Sequence, residues 1–250
     1  MCTLSWIPLP HGYALAMNRD ERRTRAPAIP PGPVDAGGVF ALLPVDGDAG
    51  GTWISANDRG HALALLNRWD ESPHDAGAPL VSRGLLVRDL AGLPGAGRIG
   101  TALAGLQLSR YRPFTLVSVT PGANPTLFEW NGLELSRKSV SEPGLVRTSS
   151  GSDQAGVERS RGALFQAARA APGGLTPAVL TGLHRGHQPE KGPLSICMHR
   201  NEAVTVSFSL ITVSGGQVLF RYVNGSPCQT DRYTESSLPL QSVGSPWHQE

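Results

Sequence analysis

The sequence has little that would tie it to a membrane, a nucleic acid or a disulfide scaffold. No apolar run approaches the roughly 20 residues that a membrane-spanning helix needs. The first residues lack the basic and long apolar regions of a secretory signal. Charged residues are only 17% of the chain, the net charge is +2, and the arginines are scattered with no polybasic run. That balance argues against nucleic acid or an anionic membrane surface as a partner. Three cysteines occur, Cys2, Cys197 and Cys228. An odd count at wide separation argues against a disulfide framework, and no Cys-x-x-Cys or paired-histidine spacing points to zinc, so no metal is expected. The expectation is a soluble protein of a reducing, cytoplasmic compartment.

What is present is a chain of turns and short strands. Gly 30 and Pro 21 are high but dispersed, and hydrophobic residues are 40% of 250. This favours one folded domain over residues 1–250 rather than low-complexity disorder, with a tail from about Asn224 that packs loosely. The abundance of Ala, Gly, Arg and Pro fits a bacterial coding bias.

The informative stretch is the first. Cys2 follows Met1, and Asn18-Arg19-Asp20-Glu21 comes about sixteen residues later. Between them lie apolar residues interrupted by Pro8, Pro10, His11 and Gly12, which reads as strand, turn, strand. An antiparallel hairpin over Cys2–Ile7 and Tyr13–Met17 returns the polar cluster to the neighbourhood of Cys2. If Met1 is removed, Cys2 carries a free α-amine of ordinary pKa about 7.7–8.0 beside a thiol near 8.5, so the amine can act as base for the thiol. An acidic neighbour would orient the amine, and an arginine would favour the thiolate.

Farther on, residues 22–50 read as a long loop with one short strand near Val39–Leu43, the kind of loop that often lines a pocket. A second hairpin follows. Its first strand runs through Gly50-Gly51-Thr52-Trp53 to Asn57, Asp58-Arg59-Gly60 is the turn, and His61–Leu66 returns to Asn67. The paired glycines suit a close backbone approach, and Trp53 suits either a pocket wall or the core. Asn67 offers an amide donor for an oxyanion or a plain turn residue. After a polar loop over 70–80, helical spacing covers Val81–Leu90 and then Ile99–Leu106. Strands follow at Phe114–Thr120, Thr126–Trp130, Leu133–Lys138 and Leu145–Thr148. Helices follow at Gly156–Ala170 and from Thr176-Pro177 to His184. A polar loop over 185–194 leads to strands at Ser195–His199, Val204–Val213 and Gln217–Val223. This order implies an α+β protein, most economically a four-layer α-β-β-α sandwich with two antiparallel sheets.

Three stretches together, Met-Cys-Thr-Leu at the start, Asn18-Arg19-Asp20-Glu21, and Gly50-Gly51-Thr52-Trp53 with Gly60 and Leu66-Asn67, resemble the NRDE-motif proteins, also called the transport-and-Golgi-organisation 2 family. The resemblance covers residues 1 to about 90 most firmly. That family is in turn similar to N-terminal-nucleophile hydrolases of the choloylglycine and penicillin-acylase type, which implies the same α-β-β-α sandwich. Carried over by motif, Cys2 is the nucleophile and its freed amine the base. Asp20 holds both, Arg19 joins the catalytic set, and Asn67 donates to the oxyanion. Asn18, Glu21, Gly51, Thr52, Trp53, Ser149 and Ser150 are the implied binding residues. Some positions depart from the acylase pattern. Met17 stands where the acylases carry an arginine, so Arg19 faces either Cys2 or outward. Thr148, Ser149 and Ser150 replace a second asparagine. Val204-Thr205-Val206-Ser207 lacks a late arginine, leaving His199 or Arg200 as substitutes.

Two functions follow. One is a cysteine amidohydrolase acting on a small-molecule amide or acyl substrate through a thioester, with no cofactor. The other is a non-catalytic carrier or trafficking protein that handles haem or lipid, with a thiolate or one of His11, His61, His184, His187 and His199 as haem ligand. A structural relative with no small-molecule role is the third and plainest reading.

Overall fold

The computed structural model describes residues 2–69 and 79–241. The chain opens with the expected hairpin, β1 (Cys2–Leu9) and β2 (Gly12–Arg22), and continues through β3 (Ile29–Asp35), β4 (Phe40–Val45), β5 (Ile54–Asn57) and β6 (Ala62–Asn67). Helices α1 (Arg83–Leu90) and α2 (Ala96–Ala104) come next, then β7 (Phe114–Val119), β8 (Thr126–Trp130), β9 (Leu135–Ser139) and β10 (Leu145–Ser149). After α3 (Gln154–Ala170) and α4 (Pro177–Arg185), the strands β11 (Ala203–Ser214), β12 (Gln217–Asn224) and β13 (Thr234–Pro239) complete the described chain.

Two antiparallel sheets result. One has the order β10-β1-β2-β11-β12-β13; the other is a meander, β3 through β9 in sequence order. Strand periodicity decides which residues face which layer. On β1 and β2, Leu4, Trp6, Tyr13, Leu15 and Met17 enter the core between the sheets, where they meet Ile54, Ala64, Leu66, Val117 and Val119. The alternate residues Ile7, Ala14 and Ala16 face Phe165 of α3 and Leu180 of α4. Two alanines at this crossing leave room for the helices to sit close on the strand. On the far side, Leu86, Val87 and Leu90 of α1 and Ile99 and Leu103 of α2 cover Leu63, Leu65, Phe114 and Leu116. The layers are therefore helix, sheet, sheet, helix, as the element order implied.

Three segments differ from the sequence reading. The region 22–50 contains the strand expected near Val39–Leu43, as β4, and a second one that was not expected, β3, paired with it. Pro30, Pro31 and Pro33 hide this strand in the sequence, and they are tolerated because β3 is the edge of its sheet. Residues 195–199 are not a strand. Their backbone is drawn elsewhere: the Cys197 N–H donates to the Gly186 carbonyl (3.1 Å) and that of His199 to Gly192 (3.3 Å), leaving one isolated bridge, His199 to Val204. The segment beyond Asn224, expected to pack loosely, supplies edge strand β13, which pairs with β12 from Tyr222–Thr234 to Gln217–Pro239. The loop expected at 70–80 lies, apart from Pro79 and Leu80, outside the described residues.

Two buried histidines bind the layers together. His184 of α4 sits between Ser5 Oγ (2.7 Å from Nε2) and Asn18 Oδ1 (3.1 Å from Nδ1). His61 sits between the Leu93 carbonyl (2.6 Å from Nδ1) and Ser118 Oγ (2.8 Å from Nε2). In each ring the neutral tautomer with the proton on Nδ1 donates to the oxygen acceptor and lets Nε2 accept from the hydroxyl. Burial holds His61 down to about 4 and His184 down to about 3, from an ordinary 6.5. Between these values and 6.5 the unfolded chain binds more protons than the folded one, so stability rises with pH across that window and is lost as pH falls through it. The melting temperature is expected to drop steadily between about pH 7 and about pH 4, and a His184→Gln variant to show a shallower drop. Thermal unfolding at a series of pH values checks this; equal slopes in the two proteins would show that His184 is not the titrating group.

Candidate active site

A cavity of about 720 Å3 opens where the start of β1, the end of β2 and the ends of β5 and β6 converge. Cys2, Arg19, Asp20, Glu21, Gly51, Thr52, Trp53 and Asn67 all line it. Cys2 is half-buried there. Strand pairing sets its neighbours: Arg19 of β2 lies opposite on one side and Ser149 of β10 on the other.

Arg19 shares the cavity face with Cys2, which resolves its orientation. Its guanidinium stacks 4.2 Å above the Trp53 ring and bonds to Asp46. Arg25 holds the same carboxylate at 2.7 Å. Burial would push the Asp46 carboxyl up, but hydrogen bonds from Arg25 and the Ala49 N–H and the charges of Arg19 and Arg25 hold it below the usual carboxylate range. Trp53 thus serves both expected roles, packing in the core and walling the cavity. Met17, which stands where the acylases carry an arginine, is fully buried between the sheets.

Asp20 is buried at the end of the buried run of β2. Its Oδ1 accepts from Thr205 Oγ1 at 2.6 Å. The β11–β2 register shifts between Thr205 and Ser207, a bulge that re-aims Thr205 at this carboxylate. Arg161 of α3 approaches the other oxygen at 3.7 Å, and neither side chain of this pair is exposed. Arg161 also donates to Thr3 Oγ1 and to the Pro193 carbonyl (3.2 Å). Burial pushes the Asp20 carboxyl up; Arg161 and the Thr205 hydroxyl oppose that shift. Burial also raises the Cys2 thiol. The positive N-terminus opposes that shift, the Asp20 charge adds to it, and the Asp20 N–H and Arg19 oppose it in turn. The net effect is a thiol kept protonated unless a base lies beside it.

The Gly51 position was expected for a close backbone approach, and the structure shows one. A Cβ there would fall 2.4 Å from the backbone carbon of Gly84, while the Thr52 N–H donates to the Gly84 carbonyl at 2.9 Å. This contact docks the start of α1 on the cavity rim. Asn67 ends β6 at the cavity, and its carbonyl accepts from Ser149 Oγ at 2.5 Å. Glu21 lies at the rim, 3.5 Å from Arg25.

Three predicted residues do not line the cavity. Asn18 faces α4, where its amide donates to the His184 and Ile196 carbonyls at 2.9 and 3.0 Å. Ser149 bridges the two sheets, accepting from Trp69 Nε1 (3.2 Å) and donating to Asn67. Ser150 sits at the approach to α3: its hydroxyl accepts from the Asp153 N–H (3.3 Å) and its own N–H donates to Gln154 (2.6 Å). Neither Arg200 nor His199 lines this cavity.

Sequence reasoning missed Arg161, Arg83 and Arg112. Arg161 carried a signal, since it lies midway between Val157 and Phe165 on the buried stripe of α3. Arg83 and Arg112 both line the cavity, and burial with the Arg112 charge lowers the Arg83 guanidinium to about 10, still charged at neutral pH. For haem, no histidine among the described residues lines this cavity, and Cys2 is the sulfur ligand available.

The fold recurs in known structures. A Caenorhabditis elegans N-acylethanolamine-hydrolyzing acid amidase ortholog aligns over 96% of this chain and 100% of its own at 10% identity, with a TM-score of 0.61. A penicillin V acylase from Agrobacterium tumefaciens aligns over 96% and 86% at 8% identity, with a TM-score of 0.54. A variant of the conjugated bile acid hydrolase from Clostridium perfringens aligns over 94% and 92% at 12% identity, with a TM-score of 0.53. These are N-terminal-nucleophile hydrolase folds, and at such identity the likeness is one of fold. No curated protein sequence matches the chain. A family model, Transport and Golgi organisation 2, matches residues 1–164, well over half of the 250, and the chain belongs to that family.

Proposed function

We propose that this protein is an N-terminal-cysteine amidohydrolase that cleaves a small amide or related acyl compound. The observation that carries the reading is the placement of Cys2 on the cavity lining with Arg19 beside it and Asp20 at its back. Removal of Met1 would place a base on the same residue as a thiol that burial keeps protonated. The amine takes the Sγ proton and the sulfur attacks the carbonyl carbon. The C=O electrons move to oxygen, where the Asn67 amide can donate, a contribution of about 2.7–4 kcal/mol. Collapse breaks the C–N bond, the ammonium returns its proton to the leaving nitrogen, and a thioester remains. Water activated by the same amine adds to the thioester and releases the acid and the thiol. Asp20, fixed by Thr205 and Arg161, is the carboxylate placed to orient the amine.

Arg83 and Arg112 indicate the kind of substrate. Arg19 and Arg25 share Asp46, whereas Arg83 and Arg112 lie close enough for the charge of one to disfavour that of the other. An anionic group on the substrate, such as a carboxylate, would relieve that repulsion. A second reading, a carrier of haem or lipid, is favoured by the family to which the chain belongs. Against it for haem stand a thiol held protonated by burial and the lack of a lining histidine among the described residues.

Intact-mass measurement with a thiol-reactive amide or lactone probe tests the main reading. The expected result is loss of Met1 and one Cys2-dependent label per chain at neutral pH, absent in Cys2→Ala. Retained Met1, or labelling no faster than at Cys197 and Cys228, would overturn it and direct work to haem and acyl-lipid titration. Asp20→Asn is expected to slow labelling more than Glu21→Gln, because Glu21 sits at the rim; equal effects would remove Asp20 from its role. Arg112→Gln is expected to raise KM about tenfold for carboxylate-bearing amides, with little change for neutral ones, since a charged hydrogen bond contributes about 1.5–3 kcal/mol. A uniform loss for both substrate classes would contradict the anion assignment.

A further inference from the structure

Apart from the residues that line the candidate active site, the fold gathers four residues that sequence spacing left unrelated. One ligand atom from each of His187, Cys197, His199 and Cys228 lies within 4.8 Å of every other. The first three come from the irregular segment after α4, and Cys228 from a short 3-10 turn, Pro227–Gln229, after β12. We propose that these four side chains form a tetrahedral Cys2His2 site for a divalent metal, zinc by the chemistry of its donors.

The geometry supports this. With Zn–S near 2.3 Å and Zn–N near 2.0–2.1 Å, the sulfur-to-nitrogen edge of a tetrahedron is about 3.5 Å. The His199 Nε2 stands 3.6 Å from Cys197 Sγ and 3.3 Å from Cys228 Sγ. The His187 ring meets the His199 ring edge-on at 5.1 Å between centroids. The His187 Nε2 is buried and has no hydrogen-bond partner among the described residues, an unmet polar atom beside three metal-binding side chains. Two thiolates would neutralise a divalent charge, and a tetrahedral S2N2 set selects zinc over harder cations. Residues 187 and 197 are separated by a loop, and Cys228 lies 29 positions beyond His199. A metal would therefore cross-link chain that has little regular structure to hold it.

The site also bears on the motif strand. Met198, between two of the ligands, donates its N–H to Thr205 Oγ1 at 2.8 Å, and that hydroxyl donates to Asp20 Oδ1 at 2.6 Å. The neighbouring Ile196 carbonyl accepts from the Asn18 amide at 3.0 Å. Metal binding would fix the segment against which Asn18 and Asp20 are held. The metal site stands whether or not Cys2 is a nucleophile.

The test uses the full chain without a histidine tag, in a Cys2→Ser background so that two thiols remain. Elemental analysis by mass spectrometry is expected to find about one zinc per chain, and Cys228→Ser and His187→Asn each to hold less than about a tenth of that, given how steeply affinity depends on a full ligand set. The half-exposed His187 makes the second variant tolerable to the fold. Chelator-stripped, reduced protein titrated with cobalt(II) is expected to develop thiolate charge-transfer and tetrahedral d–d absorption that saturates at one equivalent and is lost in both variants. Three results would overturn the proposal: no metal and no cobalt absorption with both thiols reduced, metal retained undiminished in both variants, or a chain isolated with a Cys197–Cys228 disulfide that binds no metal after reduction.

Discussion

Strand register is the constraint on which the site depends. β1 lies between β2 and β10, and that pairing sets Cys2 opposite Arg19 on one side and Ser149 on the other. Strand side chains alternate, so a slip of one residue would move Leu4, Trp6 and Cys2 together to the helix face. The large apolar residues forbid this. Trp6, Tyr13 and Leu15 fill the inter-sheet core, while the helix face of β2 carries the small Ala14 and Ala16 and the hydrogen-bonded Asn18. The packing that stabilises the sandwich is thus the packing that delivers Cys2 and Arg19 to one cavity.

The same alternation divides the Asn-Arg-Asp-Glu motif between two tasks. Arg19 and Glu21 reach the cavity, where they meet Asp46, Trp53 and Arg25. Asn18 reaches back to α4 and the segment beyond it. Asp20 stands at the junction, lining the cavity while held from behind by Thr205 and Arg161. A fully buried ion pair is a weak source of stability, but loss of one partner leaves an uncompensated charge at a cost of about 3–5 kcal/mol. The pair is best understood as a device that holds one carboxylate in one place.

Much of this was legible in the sequence, for local reasons. The turn at Pro10-His11-Gly12 and the alternation on either side of it disclose the first hairpin, and the turn at Gly60 the second. The helices α3 and α4 follow from apolar spacing and from the Thr176-Pro177 start, whose hydroxyl accepts from the Val179 N–H. What stayed hidden depends on contacts distant in sequence. Prolines disguise β3, which only an edge position permits. Arg161 lies on the buried stripe of α3, but its partner, Asp20 of β2, is far away in the sequence. Ser149 and Ser150 occupy the right place in the chain but spend their hydroxyls on Asn67 and on the start of α3. The His187, Cys197, His199 and Cys228 group has no recognisable spacing, because its ligands meet only when the turn after β12 folds against the segment after α4.

The central claim is that the free α-amine of Cys2 serves as base for its own thiol. The direct measurement is the pH dependence of Cys2 alkylation in the chain lacking Met1, compared with the same chain after its amine has been acetylated. The account predicts that the free-amine form reacts at least about tenfold faster near pH 7, with the advantage appearing around the amine pKa of about 7.7–8.0. Equal rates in the two forms across that range would contradict it.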